Sequence, residues 1–366
     1  MRQRRHRVTL MLASIAFSLL MAEGVLRLTE DHRPWKRKLH QEGRILQTPA
    51  WAYDPLIGAR FTPQWTGRYF PSSGEEFVQV RSNRWGFRFP EYDLEKLPGT
   101  RRVALLGDSV TAALQVEADA HFRALLEGAL NLHQPTEVLN FGIPGTGPVA
   151  HLNVYRHFAR RFDPDVVVIG IYTGNDFTDD TGIAWREKDG SFTEQPFVDA
   201  PGNLRKLLKA NSALVMAAWS LTVRGSGRSS PAETADAGSA ASDEPYVLAG
   251  VSRQEYDNKV KVWKSLIDSI LADSARCVVL FYPEEAVLSA EGRWQYAVRK
   301  QVLHDLLSRE LERPGAEMIT GSVMLERHGD RYGTVPWAKR GDYLSEAGHK
   351  SLASVLSERL LRRPGP

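Results

Sequence analysis

Val103-Ala104-Leu105-Leu106-Gly107-Asp108-Ser109-Val110-Thr111 decides the fold. Four apolar residues in a row, without polar alternation, read as a strand buried on both faces, the pattern of a parallel sheet. The glycine and short polar residues behind it end the strand in a tight turn. Ser109 then lands on the crest made by the carboxyl ends of the strands, where open α/β sheets bind ligands. Two later runs end the same way: Glu137-Val138-Leu139-Asn140-Phe141 meets Gly142, and Val166 to Tyr172 meets Thr173-Gly174-Asn175-Asp176.

From residue 101 onward, strand-like and helix-like segments alternate. Asp119 is a candidate cap for a helix carrying Phe122, Leu125, Leu126 and Leu130 on one face. Pro148 suits a first helical turn, followed at helical spacing by Val149, Leu152, Tyr155, Phe158 and Phe162. A stripe from Tyr256 to Leu271 precedes a strand at 276–282, and one from Val298 to Leu307 precedes a weak strand at Glu317 to Thr320. Ser345 is placed to cap the last helix. Five strands with intervening helices predict a doubly wound α/β fold: a parallel five-stranded sheet, order 2-1-3-4-5, with helices on both faces. That order puts Ser109, Gly142 and Asn175 on three adjacent strand ends.

Such a convergence offers a hydroxyl nucleophile, a glycine N–H and a carboxamide, the parts of a serine hydrolase with an oxyanion hole. Asp108 and Asp176 read as carboxylates that hold the crest loops by hydrogen bonds. In order and context, Ser109, Gly142 and Asn175 resemble the first three motif blocks of the SGNH (GDSL) hydrolases, over roughly residues 100 to 360. The resemblance implies an SGNH-hydrolase-like fold and an acyl or acetyl esterase in which Ser109 attacks and Ser109, Gly142 and Asn175 hold the oxyanion. It points to the membrane-anchored bacterial type.

The fourth block departs from that family. Family members carry Asp-x-x-His ahead of a stretch like Leu344-Ser345-Glu346-Ala347-Gly348-His349; here Tyr343 stands in the histidine slot and Arg340 in the aspartate slot. His349 matches a second histidine at the helix start, and Asp342 lies beside the empty slot, so both are candidates for the missing base. His328 with Asp330 is a further pair. His121, His151, His157 and His304 fall on or beside predicted helices and read as surface residues. The competing reading is a binding or scaffold protein that lost the histidine; a third is an O-acyltransferase of envelope polysaccharide.

The 366 residues suffice for a full core, and the net charge is +3, with four cations at Arg2, Arg4, Arg5 and Arg7. A nucleic-acid partner would need a basic face, which the composition does not suggest. Cys277, the only cysteine, lies in an apolar run and reads as a buried structural thiol. No His/Cys spacing suggests a metal, and no cofactor is implied. The expected organisation is a cytoplasmic basic tip (1–7), a signal anchor (8–28), a β-rich lead-in (30–100) and the hydrolase domain (101–362). An apolar stretch this short leaves a cleaved signal peptide or a buried helix as alternatives to the anchor. By the positive-inside rule the anchor would be a single pass in the inner membrane, with the catalytic domain in the periplasm. The partners are then the membrane and a small-molecule, glycan, lipid or cell-envelope ester. The lead-in reads as packing on the sheet, or as an aromatic wall of the cleft. Residues 181–251 read as an insertion over the crest rather than a separate domain, with helices at 205–221 and a disordered stretch at 225–243.

Overall fold

In the computed structural model, five parallel strands form the central sheet: β1 (Arg101–Leu106), β2 (Thr136–Asn140), β3 (Val166–Ile171), β4 (Arg276–Phe281) and β5 (Ala316–Ile319). Their spatial order is β2-β1-β3-β4-β5, the doubly wound arrangement expected from the sequence. The registers are continuous: Val103 pairs with Val138 on one side and Val166 on the other, and Val166 to Ile171 pairs with Arg276 to Phe281. The structure describes residues 11, 14, 17–25, 44–45, 51–54, 56–70, 77–179, 185–188, 191–194, 244–283, 286–288, 294–296, 298–321, 323 and 343–362.

Alternate side chains of each strand leave the sheet on opposite faces, and helices cover both. The helices are α1 (Phe122–Asn131), α2 (Pro148–His157), α3 (Arg253–Ala272), α4 (Val298–Leu311) and α5 (Glu346–Leu361). Ala104, Leu106, Val167, Ile169, Cys277 and Val279 share a core with Tyr155 of α2, Trp263 and Ile267 of α3 and Leu303 and Leu307 of α4. Val103, Leu105, Val138, Val168, Val278 and Leu280 pack with Phe122 and Leu126 of α1 and Leu352 and Leu356 of α5. Each large apolar side chain taken out of water contributes about 1.5–3 kcal/mol, so these two layers dominate the stability of the unit. The cap expected at α5 is made, Ser345 accepting from Gly348 N, and at α3 Ser252 forms a capping box with Glu255.

Two expectations need correction. The cap of α1 is His121, not Asp119; its Nδ1 accepts from Arg123 N, since an imidazole lone pair serves an open amide as a carboxylate would. His121, His151 and His304 are buried, and His157 is half-buried, so none of the four is a plain surface residue. The 181–251 segment, expected as one insertion, is described only in part. The chain clusters into two units, one of residues Met1–Arg44 with Asp199–Ala241 and one of Ile45–Val198 with Ser242–Pro366. Within the segment, Trp185–Lys188 and Ser191–Glu194 form an antiparallel hairpin and Pro245–Leu248 is a short helix. The helices expected at 205–221 and the disorder expected at 225–243 lie outside the described residues.

Of the expected anchor, residues 17–25 are helical, with Phe17, Leu19, Leu20, Met21 and Val25 exposed. Among the described residues no helix is long and apolar enough to cross a membrane. In the lead-in, Trp51–Asp54 pairs with Gly58–Phe61 and Thr66–Phe70 with Val78–Arg81, both antiparallel. The lead-in packs on the sheet domain: Phe87 and Phe89 are buried edge-on to Phe141, and Phe89 also to Phe162.

At the opposite edge from the crest, Arg102 is 1% exposed and binds through all three guanidinium nitrogens. Nε donates to Glu137, Nη1 to the carbonyls of Leu94 and Phe162, and Nη2 to those of Asp93 and Glu95. Losing it would strand a partly buried carboxylate and four carbonyls. Arg102→Leu is expected to destabilise the protein by about 3–5 kcal/mol, measured by urea unfolding, the usual cost of removing one partner of a buried pair.

Candidate active site

The crest is built from backbones that touch. The β1–β2 ladder continues past the strands, with Phe141 N donating to Leu105 O at 2.8 Å and Ile143 N to Gly107 O at 3.0 Å. Behind Gly107 the chain turns into a short helix, Ser109–Ala112. A Cβ on Gly107 would lie 2.0 Å from Thr111 Oγ1, and one on Gly142 would lie 2.5 Å from Ala112 N and 2.7 Å from Thr111 C. Two glycines therefore let the β2 loop and the Ser109 helix close on each other. The β3 side is as near, since the Gly107 Cβ would also meet Gly170 O at 3.1 Å.

Ser109 is half-buried at the start of this helix. Its Oγ donates to Asp108 Oδ2 at 3.2 Å, while Asp108 Oδ1 accepts from Val110 N at 2.9 Å and so caps the helix. Asp108 is fully buried. Burial, chiefly, and the nearby Asp179 carboxylate push its pKa up to about 6, against the pull of the Val110 and Ser109 hydrogen bonds. Asp176, also buried, accepts from Tyr172 N at 2.8 Å and holds the β3 loop. Both aspartates thus make the loop hydrogen bonds expected of them.

The three expected oxyanion donors follow three adjacent strands and are already engaged. Gly142 N donates to Asn140 Oδ1 at 2.9 Å, so in this structure that N–H is held within the loop. Asn175 Nδ2 donates to Asp179 Oδ2 at 2.9 Å, leaving one amide hydrogen, and its Oδ1 is buried without a hydrogen bond. The Ser109 N–H leans on the Asp108 carboxylate. The loop after β2 carries an open N–H that the sequence reading did not single out: Gly145 is exposed, has φ +75°, has nothing within 4 Å of a Cβ, and its N–H has no hydrogen bond among the described residues. The signal was Pro144-Gly145, the pair that favours a turn with positive φ at its second position.

Beneath the crest lies a buried polar layer. Arg88, from the lead-in, donates to the carbonyls of Ala112, Ala113 and Val116 and closes the far end of the Ser109 helix. Its own burial pushes it down to about 10. His121 Nε2 donates to Thr111 O at 3.1 Å, and Asn140 Nδ2 donates to the same carbonyl at 3.0 Å. His349 is wholly buried, stacked on Phe122; its Nδ1 accepts from Phe122 N at 3.3 Å and its Nε2 lies 3.4 Å from the Gln115 amide. Neither nitrogen serves Ser109, whose Oγ has Asp108 as its partner among the described residues. His349 thus helps hold the start of α1. Burial first, and the Arg88 charge second, push its pKa down to about 3.

Tyr343 is half-buried beside Leu344, and its presence adds to burial in raising the Tyr69 phenol. Asp342, Arg340, His328 and Asp330 lie outside the described residues. Among the described residues no group of three or more His, Cys, Asp or Glu could hold a metal. The Cys277 thiol is buried and pushed up to about 12, as suits an inert core group.

No family model matches the sequence, and no curated protein does. Solved structures that resemble the chain include TesA, at 13% identity over 71% of this chain and 98% of that one, with a TM-score of 0.38. The lipase/acylhydrolase from Enterococcus faecalis is 13% identical over 71% of this chain and 95% of that one, TM-score 0.39. A catalytic mutant of the acetylxylan esterase Axe2 from Geobacillus stearothermophilus is 12% identical over 74% and 98%, TM-score 0.41. At these identities and TM-scores, any functional reading has to stand on the crest itself.

The buried imidazole sets an acid sensitivity. His349 stays neutral in the folded protein down to about pH 3, whereas in the unfolded chain it takes up a proton near 6.5. Its contribution is fully present above pH 6.5 and is lost as pH falls below it, at up to about 1.4 kcal/mol per pH unit. His349→Gln keeps an acceptor for Phe122 N but cannot titrate. The slope of unfolding free energy against pH between 6 and 4 should fall by about that amount, measured by urea unfolding across the range.

Proposed function

We propose that the protein is a serine ester hydrolase of the SGNH type. The observation that carries the reading is the placement of Ser109. Its hydroxyl stands at the crest of a parallel sheet, bonded to a buried carboxylate at 3.2 Å, between the loop after β2 and the loop after β3. A substrate carbonyl seated over Ser109 would draw donors from the loops after β2 and β3, the second hydrogen of the Asn175 amide among them. Ser109 Oγ attacks the acyl carbon, the carbonyl oxygen becomes an oxyanion held by these donors, and the alcohol departs.

O-acyl esters of glycans, lipids or other envelope components are the substrates we assign, with transfer to a sugar hydroxyl as the variant in which water is replaced. This follows from the location we infer for the chain: anchored in the inner membrane by residues 8–28, with the basic tip inside and the catalytic unit in the periplasm. The helical stretch at 17–25 and its exposed apolar side chains support it. A binding protein without turnover is the second reading, and it draws support from Tyr343 in the histidine slot and from the burial of His349.

Hydrolysis of a short-chain aryl ester by the full chain, abolished in Ser109→Ala, tests the activity. Covalent labelling of Ser109 by a fluorophosphonate tests the nucleophile without assuming a substrate. Asn175→Ala should lower kcat by about 10² to 10³, the loss typical of one oxyanion donor; unchanged turnover would remove Asn175 from the mechanism. For the location, a reporter fused after residue 30 should be active outside the cytoplasm, with the protein in the membrane fraction. A soluble species beginning near Glu23 would show cleavage instead.

A further inference from the structure

We propose that Asp108 is the general base of this site, accepting the Ser109 proton in place of a histidine. The inference rests on the ester-hydrolase reading and names the group that reading lacks. Asp108 Oδ2 receives the Ser109 hydroxyl at 3.2 Å, and Oδ1 is tied to Val110 N, which fixes the carboxylate and leaves the other oxygen for the nucleophile. No described histidine is bonded to Ser109: His121 is committed to Arg123 N and Thr111 O, His349 to Phe122 N, and His304 to the Thr173 hydroxyl.

The electrostatics suit the task. A carboxylate of ordinary acidity is a poor acceptor for an alcohol proton, and a base works best when its pKa approaches the working pH. Of the groups around Asp108, the Asp179 carboxylate makes it more basic, while the hydrogen bonds from Val110 and Ser109 pull the other way. Burial then leaves it near 6, ionised at neutral pH but a stronger base than a solvated aspartate.

In the step, the Ser109 Oγ–H bond breaks, the proton passes to Oδ2, and Oγ bonds to the acyl carbon as the carbonyl electron pair moves to oxygen. The intermediate collapses, the C–O bond to the alcohol breaks, and the leaving oxygen takes the proton back from Asp108. Water then repeats the sequence on the acyl-serine: its proton goes to Asp108, the acid leaves, and Ser109 recovers the proton.

The test compares the full-length wild type with Ser109→Ala, Asp108→Asn and Asp179→Asn on an aryl acetate and on a fluorophosphonate. Asn can still accept from Val110 N, so the cap and the fold are retained, but its amide cannot take a proton. Asp108→Asn should lower kcat by about 10² to 10⁴ with KM little changed, and remove the acidic limb that wild-type kcat/KM shows near pH 6. Asp179→Asn should move that limb to lower pH, because a like charge has gone. If Asp108→Asn does not fold, the Asp179→Asn limb alone decides: a shift supports the inference, and an unmoved limb overturns it. An active, labelled wild type whose kcat and limb survive in Asp108→Asn overturns the base assignment and leaves the hydrolase reading standing. A wild type that neither turns over nor labels overturns both.

Discussion

The close approach of the β2 loop to the backbone of the Ser109 helix is the constraint on which the site depends. Gly107 and Gly142 leave no room for a side chain, and the contacts they permit are with backbone atoms or a buried threonine, which cannot swing aside. Because Ile143 N also closes onto Gly107 O, the turn after β1 is gripped from the β2 side, while Gly170 O lies against it from the β3 side. A four-residue helix has little stability of its own. Here its position follows from the sheet beneath it and from Arg88, which satisfies the carbonyls at its far end.

One physical effect, burial, gives the acids and bases around this helix opposite tendencies. It raises the carboxylate of Asp108 and lowers the imidazoles of His121 and His349, in each case by penalising the charged form. For the histidines the result is a pair of neutral rings that act as hydrogen-bonding spacers between the short helix, α1 and α5. For Asp108 the result is a carboxylate held near the point of protonation, in contact with the nucleophile. Most polar groups of the site, Asn175 Oδ1 excepted, are thus satisfied by internal partners, which gives rigidity and leaves few hydrogen-bonding groups open for a ligand among the described residues.

That economy bears on the functional reading. Donors that a serine hydrolase would aim at an oxyanion are partly turned inward: Gly142 to Asn140, and one amide hydrogen of Asn175 to Asp179. Among the described residues, the second Asn175 hydrogen and, in the loop after β2, the Gly145 N–H stay open. The Asp179 carboxylate fixes the Asn175 amide, yet it also places negative charge beside the crest. An oxyanion there would form against that charge, so a large part of its stabilisation would have to come from well-aimed amides.

The strands, their parallel sense and the helices between them were legible in the sequence, because a strand buried on both faces writes an unbroken apolar run and a packed helix writes a 3.6-residue stripe. Val103 to Leu106 and Val166 to Ile171 needed nothing beyond their own residues, and the serine, glycine and asparagine at the strand ends followed from where those runs stop. Roles that depend on a distant partner were not legible. His121 looked like a surface residue until Thr111 and Asn140 were brought to it, and His349 looked like a possible base until Phe122, more than two hundred residues earlier, offered it an amide. Nothing near Arg88 in the chain announces that it will end a helix twenty-odd residues later. Local periodicity is a property of the chain and can be read along it. Whether a polar group is buried, and what it bonds there, is set by the elements that fold across it, so that part was decided by the tertiary structure.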